Sequence, residues 1–275
     1  MFKAISLALA GATLVAGAAH AAPSVERGDY LVNTIAACGS CHTPFGANGP
    51  DMEKALSGRL VEQTEQFTAI APNLTPAGEI KDWTDEQLAK AIREGIRPDG
   101  RVLGPPMPFE VYKGLSDTDL TSIVMYLRTV PAVENDPGKS EYKIPLPPAW
   151  GPPVTTVADV PEGVTVEYGQ YLAGPVGHCV VCHTTFGPQG PMLETHLGQG
   201  GQEFRGPWGV SVSANLTPTG LSKYSDEEVV TMITTGTRPD GSQMFPPMSY
   251  GSYAHVKPDD LKAIVLYLRS LPPKG

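Results

Sequence analysis

The sequence predicts an all-α fold made of two small helical domains in tandem, joined by long irregular loops. Three observations predict it. Motifs recur at an offset of 141 residues, the sign of an internal repeat. Apolar residues fall with helical period at the same places in both copies, and no alternating strand pattern of useful length appears. The chain has 275 residues, 41% of them hydrophobic, with 30 Gly and 28 Pro. That length suits one or two domains, and the Gly and Pro content implies ordered loops rather than disorder.

The first segment reads as a targeting sequence. Lys3 is its one basic side chain, an apolar stretch follows from Ala4 to Ala19, and Ala19-His20-Ala21 offers a small-residue cleavage site. Cleavage is expected after Ala21, which makes residues 1–21 a signal peptide. The alternative, an uncleaved anchor, is disfavoured because the apolar core is short for a span of about 20 residues. No later segment is apolar enough to cross a bilayer. The mature chain is therefore expected outside the cytoplasm, in the periplasm. The formal charge is −9, which excludes a nucleic-acid binder and suits a basic partner surface or simple solubility.

Residues 22–130 are expected to form the first domain and 164–275 the second. The repeat runs through both. Gly28-x-Tyr30-Leu31 returns as Gly169-x-Tyr171-Leu172, and Cys38-Gly-Ser-Cys41-His42 as Cys179-Val-Val-Cys182-His183. Arg97-Pro-Asp-Gly100 returns as Arg238-Pro-Asp-Gly241, Pro105-Pro106-Met107 as Pro246-Pro247-Met248, and Tyr126-Leu-Arg128 as Tyr267-Leu-Arg269. Asn73-Leu-Thr-Pro76 returns one residue out of step as Asn215-Leu-Thr-Pro218, a slip that a surface loop absorbs.

Helices are expected before each Cys motif, around Val25–Ala37 and Val166–Ala173. Thr84 with Gln87, and Ser225 with Glu228, read as capping boxes that open helices Asp85–Glu94 and Asp226–Thr234. Leu120, Ile123, Val124 and Leu127 mark the last helix of the first copy; Leu261, Ile264, Val265 and Leu268 mark that of the second. Pro131 and Pro272 follow them. Residues 131–163, rich in proline, read as an extended, stiff linker that spaces the domains or wraps one of them.

All four cysteines fall in the two Cys-x-x-Cys-His units. That motif is the attachment signature of c-type haem. The spacing puts two thiols one helical turn apart for the two vinyl groups, and the adjacent histidine binds iron. A redox disulfide or half of a zinc site is the alternative for a single motif. Two copies, each with its histidine, leave those little weight.

Each copy carries a methionine 65 residues after the haem histidine, Met107 after His42 and Met248 after His183. The preceding Pro-Pro holds an extended loop suited to presenting a thioether as the sixth iron ligand. Met244 aligns with Leu103 and ranks below Met248. Met52, Met125, Met192 and Met232 read as packing residues. His178, His196 and His255 read as non-ligands. Arg97 and Arg238 read first as turn residues, with pairing to haem propionates as the sharper alternative. Asn73 and Asn215 either shape their loops or donate to propionates. Trp83 and Tyr224 read as packing residues ahead of a helix.

These motifs, with Trp83-Thr-Asp-Glu and Ser225-Asp-Glu-Glu, cover almost all of the mature chain. They resemble the two-domain c-type cytochromes, and more closely the cytochrome c subunits of bacterial alcohol and related periplasmic dehydrogenases. The resemblance implies two class I cytochrome c-like domains and two covalent haem c groups, ligated by His42/Met107 and His183/Met248. It also implies electron transfer from a dehydrogenase subunit towards another cytochrome or an oxidase. Many such subunits carry three haems, where this chain has two motifs. The rival reading is a catalytic dihaem enzyme, such as a thiosulfate dehydrogenase or a peroxidase. It ranks lower because a peroxidase usually places a histidine where the matched methionines stand.

Overall fold

A computed structural model describes residues 22–46, 49–188, 190–206 and 208–275. The expected signal peptide lies outside the described residues.

The first copy opens with helix α1 (Val25–Asn33), capped by Ser24, whose hydroxyl accepts from the Arg27 amide. A short turn α2 (Gly39–His42) carries the Cys motif. Helices α3 (Asp85–Glu94), α4 (Phe109–Tyr112) and α5 (Asp117–Thr129) follow. The second copy repeats the series as α6 (Val166–Tyr171), α7 (Cys179–Cys182), α8 (Pro218–Leu221), α9 (Asp226–Thr235), α10 (Tyr250–Tyr253) and α11 (Pro258–Ser270), with α8 where the first copy has the 3-10 turn Glu79–Asp82. Both capping boxes are formed, and both of their helices end on a left-handed glycine, Gly95 and Gly236. The apolar rows of α5 and α11 are buried as their spacing requires.

The matched placement of Gly28 and Gly169 has a steric cause. A Cβ on Gly28 would lie 1.9 Å from the Ser122 carbonyl oxygen, and one on Gly169 would lie 1.9 Å from that of Ala263. Helix α1 crosses α5 there, and α6 crosses α11, closer than any side chain permits. Arg128 then ties the end of α5 to the start of α3, bonding Asp85 at 2.9 Å and the Trp83 carbonyl at 2.6 Å. Arg269 does the same to Asp226 and the Tyr224 carbonyl at 3.0 and 2.6 Å.

The all-α expectation is corrected. Among the described residues nine strands of two to five residues form four small sheets beside the helices, so the architecture is mixed, with the helices supplying most of the core. Short hairpins β1–β2 (Phe45–Gly46 with Gly49–Pro50) and β6–β7 (Phe186–Gly187 with Gly190–Pro191) follow the Cys motifs. Strands β3 (Arg59–Gln63) and β4 (Phe67–Ala71) pair antiparallel, as do β8 (Glu203–Gly206) and β9 (Gly209–Val212). Loop backbone led past a large cavity needs hydrogen-bond partners, and neighbouring loop segments supply them to one another. The pattern is faint because Ala69 and Ala71 are buried while their neighbours Thr68 and Ile70 are only half-exposed.

The expected helix before the first Cys motif is also too long. Helix α1 stops at Asn33, and the chain reaches Cys38 through wide turns in which the Ala36 amide bonds Leu31 and the Cys38 amide bonds Val32. In the second copy a π-helical turn, Leu172–Val176, with Pro175 inside it, does this work. Ala37 and His178, 141 apart, both take the left-handed conformation just before the first cysteine. That reversal aims the motif away from the helix axis.

The proline-rich stretch wraps the first copy. Asn73 donates to the Val133 carbonyl at 2.8 Å and Asn135 to that of Ser57 at 2.9 Å. A strand β5 (Glu141–Tyr142) adds to β4, making a three-stranded sheet. Further on, the Asp117 amide bonds the Val157 carbonyl at 3.0 Å.

The two copies meet about a pseudo-two-fold axis. The Tyr30 hydroxyl donates to Asp260 at 2.6 Å, and that of Tyr171 to Asp119 at 2.7 Å. The Lys257 amide bonds the Tyr30 oxygen at 3.1 Å, and the Ser116 amide bonds that of Tyr171 at 3.2 Å. In every case the partners exchange under a shift of 141 residues, as in an isologous interface.

Candidate haem site

One open cavity of about 4250 Å³ runs through the molecule, and Cys38, Cys41, His42, Met107, Cys179, Cys182, His183 and Met248 all line it. The structure thus brings together every residue that the sequence singled out for haem attachment or ligation. The cavity wall is mainly apolar, with Leu56, Ile80, Leu88 and Leu127 on the first side and Leu221, Val229, Ile264 and Leu268 on the second.

Each Cys motif sits on one turn of helix, so its two sulfurs lie on one face. All four thiols are free of disulfides. Burial raises the thiol pKa of Cys38 and of Cys179 to about 12, which keeps them protonated. The two histidines are buried and oriented alike. His42 Nδ1 lies 2.9 Å from the Pro72 carbonyl oxygen, and His183 Nδ1 lies 2.8 Å from that of Ala214. A carbonyl can only accept, so Nδ1 carries the proton and Nε2 keeps its lone pair. Burial lowers the His42 pKa to about 4 and that of His183 in the same direction. Neutral imidazole with the second nitrogen tied to a carbonyl is the form that binds a metal.

The residues fit haem c. They supply two thiols on a turn, a tethered neutral imidazole and, on the wall of the same cavity, a thioether. Three buried nitrogens on the cavity wall, Arg59 Nε, Arg97 Nε and Trp208 Nε1, lack a hydrogen-bond partner among the described residues. Such donors suit the carboxylates that haem carries.

Of the neighbours, only Met52 departs from its sequence reading. The Arg97 guanidinium is held by Glu79 at 2.7 and 2.5 Å and lies over the Trp83 ring at 5.1 Å. Its turn is closed by Gly100 bonding the Arg97 carbonyl. Arg238 stays local, bonding Ser242 and the Gln243 carbonyl. Asn73 and Asn215 shape their loops: each accepts from a threonine two residues on and donates to a backbone carbonyl, that of Val133 or Lys274. Met52 is not packed but 71% exposed at the cavity rim. Met244 also lines the cavity and packs on the core.

Sequence reasoning missed Tyr112 and Tyr253. They stand 141 apart, line the cavity beside the Cys motifs, and have hydroxyl pKa values driven up by burial. The repeat offset is the signal that finds them. Tyr112 also meets His178 of the other copy edge-on at 5.9 Å. Trp208, Tyr142 and Trp150 have no counterpart in the repeat, so nothing in its pattern marks them.

The cytochrome c family matches residues 25–131, the first copy. The first copy is thus similar to a cytochrome c domain. Covalent haem c is the group such a domain holds, and the second copy repeats its motifs. The chain is 30% identical over 271 residues to a fructose dehydrogenase cytochrome subunit of Gluconobacter japonicus, covering 92% of this chain and 54% of that protein. It is 31% identical over 287 residues to the cytochrome c subunit of a quinone alcohol dehydrogenase of Gluconobacter oxydans, covering 94% of this chain and 58% of that one. A diheme cytochrome c-type protein of Cereibacter sphaeroides is 27% identical over 252 residues, 86% of this chain and 82% of that protein. The chain thus spans little more than half the length of the two dehydrogenase subunits. Among the described residues no helix is long and apolar enough to cross a membrane.

Proposed function

We propose that this chain is an exported dihaem cytochrome c that carries single electrons from a dehydrogenase to a respiratory acceptor, either another cytochrome or an oxidase. Two cytochrome c-like domains, residues 22–130 and 164–275, each hold one haem. Cleavage after Ala21 releases the chain to the periplasm. The observation that carries the reading is the pair of matched constellations on one cavity: a Cys-x-x-Cys turn, an imidazole fixed by a carbonyl through Nδ1, and a Pro-Pro-Met loop.

When bound, haem c supplies an iron that cycles between two oxidation states. The chain does the rest. Cys38 and Cys41 anchor the first haem and Cys179 and Cys182 the second. His42 and His183, held through Nδ1 by the Pro72 and Ala214 carbonyls, would offer Nε2 to the iron. Met107 and Met248 would offer a thioether, a ligand that favours the reduced form. Apolar walls exclude water and so limit the solvent reorganisation that each electron transfer costs. A shared cavity suits passage of electrons between the sites. The dehydrogenase relatives point to the donor class, and the acidic chain suits a basic docking surface.

Two measurements test this. Met107→Ala and Met248→Ala should each remove half of the low-spin haem spectrum; an unaltered spectrum overturns the ligand assignment. Turnover of thiosulfate or peroxide by the purified protein alone would replace the carrier reading by the enzymatic one.

A further inference from the structure

We propose that Tyr142 and Trp150 are positioning residues that clamp the methionine loop of the first site, and that the second iron is the one that yields its methionine to an outside ligand. The inference rests on the assignment of Met107 and Met248 above and deepens it.

The clamp is built from the wrapping segment. The Tyr142 hydroxyl donates to the Pro105 carbonyl at 2.7 Å, and Trp150 Nε1 donates to the Leu103 carbonyl at 2.7 Å. Both carbonyls belong to the loop that presents Met107. Each ring is itself fixed. Tyr142 stacks on Phe67 at 5.7 Å, and Trp150 stacks on Phe109 at 5.8 Å. Strand β5 anchors Tyr142 to β4. Gly104 makes the seat: a Cβ there would lie 2.3 Å from Tyr142 Cζ. The loop is thus held at Leu103 and Pro105, on either side of Gly104.

The second copy is built without this clamp. Phe245 stands at the position of Gly104 and is 56% exposed. Strand β9, the counterpart of β4, pairs only with β8 among the described residues, and its Val212 is 59% exposed. The Pro246 carbonyl accepts from Ser211 at 2.6 Å, within the same copy. Among the described residues no hydrogen bond reaches the Met244 carbonyl, the counterpart of the one that Trp150 holds. A hairpin hydroxyl and a long 3.5 Å bond from Tyr250 to the Phe245 carbonyl, both made within the second copy, replace two short anchors from a braced segment. To free its sulfur, the first loop has to break two hydrogen bonds and slide past two stacked rings.

Imidazole added to the ferric holoprotein is the probe. The methionine-to-iron charge-transfer band in the far red reports loss of each sulfur. Two phases of equal amplitude are expected, the fast one missing in Met248→Ala and the slow one in Met107→Ala. Tyr142→Phe keeps its ring and removes only the donor, and Trp150→Phe keeps an aromatic ring while removing the indole donor. Each should speed the slow phase by roughly tenfold, the weight of one hydrogen bond, and leave the fast phase alone. The proposal is overturned if the fast phase belongs to Met107, or if these variants change both phases alike or neither. If Met107→Ala retains the whole band, the ligand assignment itself has failed. If that variant loses half the band while the Tyr142 and Trp150 variants leave the slow phase unaltered, the clamp alone has failed.

Discussion

Arg27 and Tyr168 occupy the same position in the two repeats, and they touch, with Arg27 Nη2 3.4 Å from the Tyr168 hydroxyl. A residue that meets its own counterpart marks the pseudo-two-fold axis. Around it Arg27 forks onto Asp119 at 2.7 and 2.9 Å, and the buried Asp119 also accepts from Tyr171. The repeat is thus both a pair of similar halves and a self-complementary interface.

Arg27→Met should separate stability from haem attachment. It leaves the Asp119 carboxylate buried with its cationic partner gone, which costs about 3 kcal/mol. The midpoint of urea unfolding should fall, while the haem content stays at the wild-type value.

Alkali should loosen the same interface. Burial raises the hydroxyl pKa values of Tyr30, Tyr168 and Tyr171 above the ordinary 10.0, because tyrosinate cannot be solvated there. A raised folded-state pKa gives stability that is complete below the unfolded value and is lost as pH rises through the folded one. Stability to urea should therefore hold below about pH 10 and decline above it. Tyr30→Phe with Tyr171→Phe should flatten that decline.

Gly28→Ala and Gly169→Ala should each destabilise the fold by at least about 2 kcal/mol. The added methyl meets backbone carbonyls of a facing helix, which no rotamer change relieves. Thermal unfolding followed by circular dichroism reads this, and the two substitutions should cost similar amounts.

Replacing Cys38 and Cys41 together by Ala should lower the haem content from two per chain to one, read from the pyridine haemochrome spectrum. The same change at Cys179 and Cys182 should do likewise. A content of one in the unaltered protein would remove the second haem from the proposal.

The sequence by itself determined what is local and repeated. Cys-x-x-Cys-His needs only one turn of chain to place its thiols, so its spacing is legible. The capping boxes and the apolar rows of α5 and α11 are set within three or four residues, and they formed as read. The strands were illegible because β3 and β4 are only five residues long and line a cavity on one side, which blurs any alternation. The early end of α1 was hidden because Ala37 takes a left-handed turn that nothing in its side chain demands; the tertiary path of the Cys motif imposes it. Only the tertiary structure decided how the halves join, since Tyr30 and Asp260 lie 230 residues apart. It alone revealed that Tyr142 and Trp150 bond the Met107 loop, while the Met248 loop is held only from within its own copy, by Ser211 and Tyr250. Short-range spacing encodes attachment; contacts between distant residues, which carry no period, encode the difference between two copies of one motif.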